Sequence, residues 1–325
     1  MSDSPRRIAS RDGVRIAADV TGAGPLLIFV HGFPELRQSW HRLTAATAAA
    51  GYTACAIDVR GYGDSDRPAT ISDYRMEAIV DDLVAVADAL SPDRSATLVG
   101  HDWGASIVWN AAMARPDRFG AVAALSIPWL GRAAAPFDAI FTRRFTERGR
   151  FFYQAYFQEP GVAEAELEAD PARFLRAFYH CISGDAAPGD WPTDKPHGAA
   201  LMEGLRYPDA LPAWVDPDYF AAAAATFART GFAGALNRYR NHRRDHDWAG
   251  GFDPVIRLPA LFIGGTRDPA LLLGTADPVP LMRTHVPDLE AHMLEGCGHW
   301  TQAERTAEVE AILLSWLRRR VPPNS

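Results

Sequence analysis

The chain of 325 residues lacks a long apolar run: no stretch approaches the roughly 18 residues needed to span a bilayer. Its first seven residues are polar and lead into an alternating segment, so no apolar leader is read there. Cysteine is scarce. Cys55, Cys181 and Cys297 are far apart, odd in number and outside metal-ligand spacing, which argues against a disulfide framework and for reduced thiols in a cytoplasmic setting. Basic clusters are missing as well, apart from Arg318 to Arg320 near the end, and 33 Lys and Arg against 40 Asp and Glu leave a net charge of −7. That balance argues against nucleic acid as a partner. Internal repeats are absent. The expectation is a soluble, unprocessed, cytoplasmic protein that binds neither membrane nor nucleic acid; the oligomeric state stays open, a homodimer included.

What is present is an alternation of short β-rich runs with helical stretches. "VRIAADV" is followed by "PLLIFVHG", a helix near Leu36 to Ala50, "YTACAIDVR", a helix near Met76 to Leu90, "SATLVGHD", a helix from about Gly104, and "AVAALSI". Such alternation predicts a mostly parallel sheet flanked by helices, an α/β fold. After Ile127 the pattern is lost. Residues 128–251 read as helices interrupted by a Pro-rich stretch from Gly184 to Pro217, which suits a wrapping loop or an entrance rim. Strand-like sequence returns at "LPALFIGG", with a helix near Pro278 to Thr284, then "EAHMLEG" and a last helix from about Gln302 to Arg318. The chain therefore divides into a core (1–127), an inserted helical cap (128–251) and the remainder of the core (252–325).

Within "VGHDWGAS", Asp102 closes a predicted strand and precedes a predicted helix, with Gly100 and Gly104 on either side. Small neighbours permit the sharp strand-to-helix elbow on which hydrolases of the α/β type present a nucleophile. An aspartate here also suits a plain helix cap. The decision comes from later in the chain. On such folds the acid and the histidine follow the nucleophile, on loops after later strands. Asp268 in "GGTRDP" follows "LPALFIGG", and His299 in "GCGHW" follows "EAHMLEG". Asp277 is a second acid further past the strand end, and Asp268 is the better placed. The turn "HGFPE", after an earlier strand, offers the backbone N–H of Phe33 as one oxyanion-hole donor, and Trp103, next to the nucleophile, offers the other.

With those residues in view, the chain resembles the epoxide hydrolases of the α/β-hydrolase superfamily along nearly its whole length. The resembling stretches are "HGFPE", "DVRGYGDSDRP", "VGHDWGAS", "YQAYFQEPGVAEAELE", "GFAGALNRYRN" and "GCGHWTQ". The resemblance implies an α/β-hydrolase core with an inserted helical cap. It makes Asp102 the nucleophile, Asp268 and His299 its charge-relay partners, and Tyr153 and Tyr239 the cap tyrosines that hold an epoxide oxygen. Two departures stand out: Arg238 precedes Tyr239 where an aromatic residue is common, and "SIPWLGR" is worded differently.

The residue types suit that chemistry. A carboxylate displaces well at saturated carbon, and the alkyl ester it forms can be hydrolysed by water that a histidine activates. The tyrosines separate epoxides from alkyl halides, because a departing alkoxide needs a proton and a departing halide does not. Glu35 and His31, on the same turn, are candidates for holding the hydrolytic water. The expected partners are thus a small-molecule epoxide and water. No cofactor and no metal is expected: "HRRDH", His242 to His246, lacks the glutamate of a zinc motif and reads as a solvated face, and "RGYGDSD" reads as a turn. A haloalkane dehalogenase using the same triad is the nearest rival, with Trp103 as halide donor, although Phe33 has no side-chain donor for it. A catalytically silent ligand receptor would have no need of the whole triad. A serine esterase is excluded by Asp102.

Overall fold

The computed structural model describes residues 4–272 and 277–323. Eight strands form one sheet: β1 (Arg6–Ala9), β2 (Arg15–Gly22), β3 (Leu26–Val30), β4 (Thr53–Ile57), β5 (Ala96–His101), β6 (Phe119–Leu125), β7 (Ala260–Gly265) and β8 (Leu289–Leu294). The order across the sheet is β1-β2-β4-β3-β5-β6-β7-β8. The β1–β2 and β2–β4 pairs are antiparallel and every other pair is parallel. The sequence reading missed β1, whose "RRIA" is mostly exposed and carries no apolar run to announce it.

The central strands follow the rule for sheets covered on both faces. All five residues of β3, "LLIFV", are buried. Leu26, Ile28 and Val30 pack into one apolar cluster, while Leu27 and Phe29 pack into a second on the opposite face. Each such side chain contributes about 1.5 to 3 kcal/mol when fully buried. Helices α1 (His41–Ala49), α2 (Met76–Leu90) and α3 (Trp103–Ala114) cover these faces in the first part of the chain. Phe33, Leu36 and Trp129 extend the first cluster into the helical layer formed by the residues between β6 and β7.

That layer holds α4 (Phe137–Arg144), α5 (Tyr153–Tyr156), α6 (Val162–Ala169), α7 (Pro171–Cys181), α8 (Pro217–Thr230), α9 (Ala233–Tyr239) and α10 (His242–Ala249). Two of these starts follow from local chemistry. Asp170 and Asp216 accept hydrogen bonds from first-turn N–H groups, and Pro171 and Pro217 sit where a missing N–H costs nothing. Between α7 and α8 the Pro-rich stretch forms no helix. It folds around Lys195, whose ammonium donates to the carbonyls of Ala200, Leu201 and Glu203 and lies 4.2 Å from the centre of the Phe151 ring.

After β7 come α11 (Pro269–Leu272), α12 (Val279–His285), α13 (Thr301–Glu304) and α14 (Thr306–Arg320). The last helix anticipated from sequence is thus split at Arg305. Among the described residues, no helix is long and apolar enough to cross a membrane.

Candidate active site

Because β3, β5, β6, β7 and β8 run parallel, their carboxyl ends lie along one edge of the sheet, and the loops leaving that edge meet. These loops carry His31 to Glu35, Asp102, Ser126, Asp268 and His299.

Asp102 makes the turn from β5 into α3 with φ 54° and ψ −119°, a conformation a side chain rarely adopts. Its neighbours make room for it. A Cβ on Gly32 would fall 2.4 Å from the Asp102 Cβ, and one on Gly104 would fall 1.9 Å from the Val30 carbonyl oxygen. Both positions therefore require glycine for close approach rather than for flexibility.

The two carboxylate oxygens of Asp102 face different partners. Oδ1 accepts the Phe33 N–H at 2.8 Å, and Oδ2 lies 3.3 Å from His299 Nε2. His299 Nδ1 is 3.0 Å from each oxygen of Asp268, which has no solvent exposure and also accepts the Ala270 N–H. Burial by itself would raise the Asp102 pKa. The hydrogen bond and charge of His299 outweigh it, helped by His101 and the Phe33 N–H, and hold the carboxyl below its ordinary range. Burial would lower His299, but the Asp268 charge and the bonds to both carboxylates raise it well above the usual histidine range. At rest the pair is a carboxylate and an imidazolium.

Trp103 opens α3, where a backbone N–H has no intrahelical acceptor. The Tyr239 ring, 2 % exposed, meets Trp103 edge-on at 5.0 Å and Phe33 at 5.5 Å. Tyr153 lies 6.2 Å from Tyr239 between ring centres, and its hydroxyl accepts from Gln154 at 2.8 Å. Burial, followed by the nearby Asp102 charge, raises both tyrosines above the ordinary phenol value, so both are protonated donors at neutral pH. The structure thus brings Asp102, Asp268, His299, Phe33, Trp103, Tyr153 and Tyr239 to one locus.

Glu35 is buried behind this group. Its Oε2 accepts the Gly32 N–H at 3.2 Å and meets His101 Nδ1 at 2.7 Å, while Oε1 accepts from Gln302 Nε2 at 2.9 Å. His31 is the exception among the sequence candidates. Its Nδ1 meets the Gly32 carbonyl and its Nε2 accepts the Val59 N–H, so both ring nitrogens hold backbone and neither is free for a water. Burial lowers its pKa and keeps it neutral in that structural role.

Sequence reading passed over His101. Its Nε2 donates to the His299 carbonyl at 2.8 Å and its Nδ1 faces Glu35, so it ties the end of β5 to the loop that carries His299. A histidine ending a fully buried strand directly before the elbow was the available signal. Ser126, at φ 69°, donates to the same carbonyl. The "HRRDH" face also needs correction. His242 is buried against Trp103, Phe137 and Phe141, and Asp245 bonds inward, because α10 packs on the core with that side.

Asp102 on a strand-to-helix elbow, with Asp268 and His299 on loops after later parallel strands, is the arrangement of an α/β-hydrolase, and residues 25–306 match the family described as alpha/beta hydrolase fold. Within it, the chain is 42% identical over 326 residues to epoxide hydrolase A of Mycobacterium tuberculosis (strain ATCC 25618 / H37Rv), covering 98% of each chain. Among solved structures, an epoxide hydrolase from an endophytic Streptomyces superposes with a TM-score of 0.90 at 42% identity, over 96% of this chain and 94% of that one. Epoxide hydrolase A from Mycobacterium thermoresistibile gives a TM-score of 0.90 at 38% identity over 98% of both chains. The chain belongs to the epoxide hydrolases of the α/β-hydrolase superfamily, and it is an enzyme of that kind.

Proposed function

We propose that the protein opens an epoxide to a vicinal diol through a covalent alkyl ester on Asp102, within a core (1–127 and 252–325) covered by a cap (128–251). The observation that carries this reading is the split duty of the Asp102 carboxylate, with Oδ1 on the Phe33 N–H and Oδ2 toward His299. The oxygen not held by the N–H is the attacking one. As its bond to the epoxide carbon forms, the ring C–O bond breaks and the alkoxide takes a proton from Tyr153 or Tyr239. Esterification removes one of the two carboxylate charges that hold His299 protonated, leaving Asp268, and so weakens its grip on the proton. His299 then gives up its proton, which makes good the one the tyrosine lost, and becomes a neutral base.

In the second step His299 deprotonates a water that adds to the Asp102 carbonyl carbon, and Asp268 stabilises the imidazolium. The oxyanion develops on Oδ1, where the Phe33 and Trp103 N–H groups receive it. Collapse expels the diol with Oδ2. The diol oxygen takes the proton left on the incoming oxygen, and carboxylate and imidazolium are restored. Glu35 has about four acceptor positions, of which three are filled by Gly32, His101 and Gln302. The fourth is the place for the hydrolytic water. Paired protonated tyrosines favour an epoxide over a halide as substrate, since halide departure has no use for a proton donor.

The test is one turnover of excess enzyme in ¹⁸O-water. Covalent catalysis is expected to release largely unlabelled diol and leave the label in the peptide containing Asp102. A fully labelled first diol refutes the ester route.

A further inference from the structure

Beside Tyr239, at the end of α9, the cap carries a buried cation: Arg238 is 3 % exposed. Its guanidinium carbon lies 4.7 Å from the centre of the Trp103 indole ring, within cation–π range. One terminal nitrogen donates to the Tyr74 carbonyl and the other to the Asp245 carboxylate. Asp245, on α10, also accepts the N–H of Met76, the first residue of α2, at 2.7 Å. The neighbouring Asn241 side chain donates to the Ile71 carbonyl at 2.7 Å. Arg238 and Asp245 therefore tie two cap helices to residues 74–76 and to Trp103, on the far side of the seam between cap and core.

A buried guanidinium is costly to desolvate, and an apolar side chain of similar volume would fill the space without that cost. Such a side chain would lose the Tyr74 and Asp245 bonds and the positive charge against the indole. Burial pushes the Arg238 pKa down to about 9, which still leaves it charged at neutral pH. Burial first, and Arg238 second, push His242 down to about 3, so the histidine stacked near Trp103 is neutral and does not compete with the cation. The Trp103 indole touches both Arg238 and Tyr239, so a displacement of the cation reaches the tyrosine through that ring as well as through the chain.

We infer that Arg238, paired with Asp245, is a positioning residue that holds Tyr239 and Trp103 in register with Asp102 across the seam between cap and core. The inference rests on the reading of Tyr239 as the proton donor to the epoxide oxygen. It is tested by a double-mutant cycle on the pre-steady-state alkylation rate, with Arg238→Met and Arg238→Lys each made in the wild-type and Tyr239→Phe backgrounds. Arg238→Met is expected to slow alkylation about tenfold or more when Tyr239 is present and less than about threefold when it is not, while Arg238→Lys restores most of the rate. A role in volume filling alone predicts that Met serves as well as Lys, and that result overturns the inference. Equal slowing in both backgrounds overturns it too, with the donor reading left standing. A Tyr239→Phe enzyme that alkylates at the wild-type rate removes the donor reading and the inference together. Should Arg238→Met fail to fold, Asp245→Asn keeps the cation and an acceptor for the Met76 N–H. It is expected to slow alkylation about threefold with Tyr239 present and not without it, and additivity again overturns the inference.

Discussion

Replacing Asp102 by alanine and by glycine separates what the residue does from what its backbone stores. Both variants lose the carboxylate, so both are expected to lose turnover while keeping the fold. They also lose the same bonds, to the Phe33 N–H and to His299. They differ in the backbone at φ 54° and ψ −119°, where a side chain is strained and glycine is not. Such a conformation costs on the order of 1 to 3 kcal/mol. Glycine gives back about 0.4 to 1 kcal/mol through the greater freedom of its unfolded chain. Asp102→Gly should therefore be at least as stable as Asp102→Ala, by up to about 2.6 kcal/mol. In a chain of 325 residues each kcal/mol raises the melting temperature by less than the roughly 2 to 4 °C expected of a 150- to 250-residue domain. Thermal unfolding of the two inactive variants, backed by urea titration, measures it. A glycine variant less stable than the alanine variant refutes the argument that the elbow is strained, and either variant turning over within a few-fold of wild type removes Asp102 from the chemistry.

His299→Gln should still be alkylated but should hydrolyse the ester on the order of 100- to 10,000-fold more slowly, so intact-protein mass spectrometry should find a persistent adduct. An inactive, folded variant without adduct contradicts the division of labour between Asp102 and His299. The pH dependence of ring opening follows from the raised tyrosines: their donor form is lost only when pH rises through the folded-state pKa, which lies above the ordinary value. Single-turnover alkylation should show no loss centred below about pH 9, where Arg238 gives up its charge, and in the Arg238→Met variant it should hold through pH 10; a loss in that variant centred at or below pH 10 speaks against Tyr153 and Tyr239 as donors.

Local chemistry made much of the protein legible from its sequence. The buried strands announce themselves by continuous apolar runs such as "LLIFV", α2 by its apolar periodicity, and the elbow by Asp102 between Gly100 and Gly104. The chain order of Asp102, Asp268 and His299 sufficed to nominate them as one group, because parallel strands put successive loops on one edge. What the order does not contain is distance and orientation. Only the packed sheet brings His299 Nε2 to 3.3 Å from Asp102 and sets Glu35 against His101, two residues 66 positions apart. Only packing decides that His31 spends both ring nitrogens on backbone, and that "HRRDH" turns His242 and Asp245 inward. A charged helical stretch looks the same in sequence whether water or another element faces it. Buried Arg238 shares that cause: its Tyr74 partner lies 164 residues away, and that contact exists only once the chain has folded; β1 escaped notice for a different reason, its exposed "RRIA" having no apolar run although it pairs with neighbouring β2.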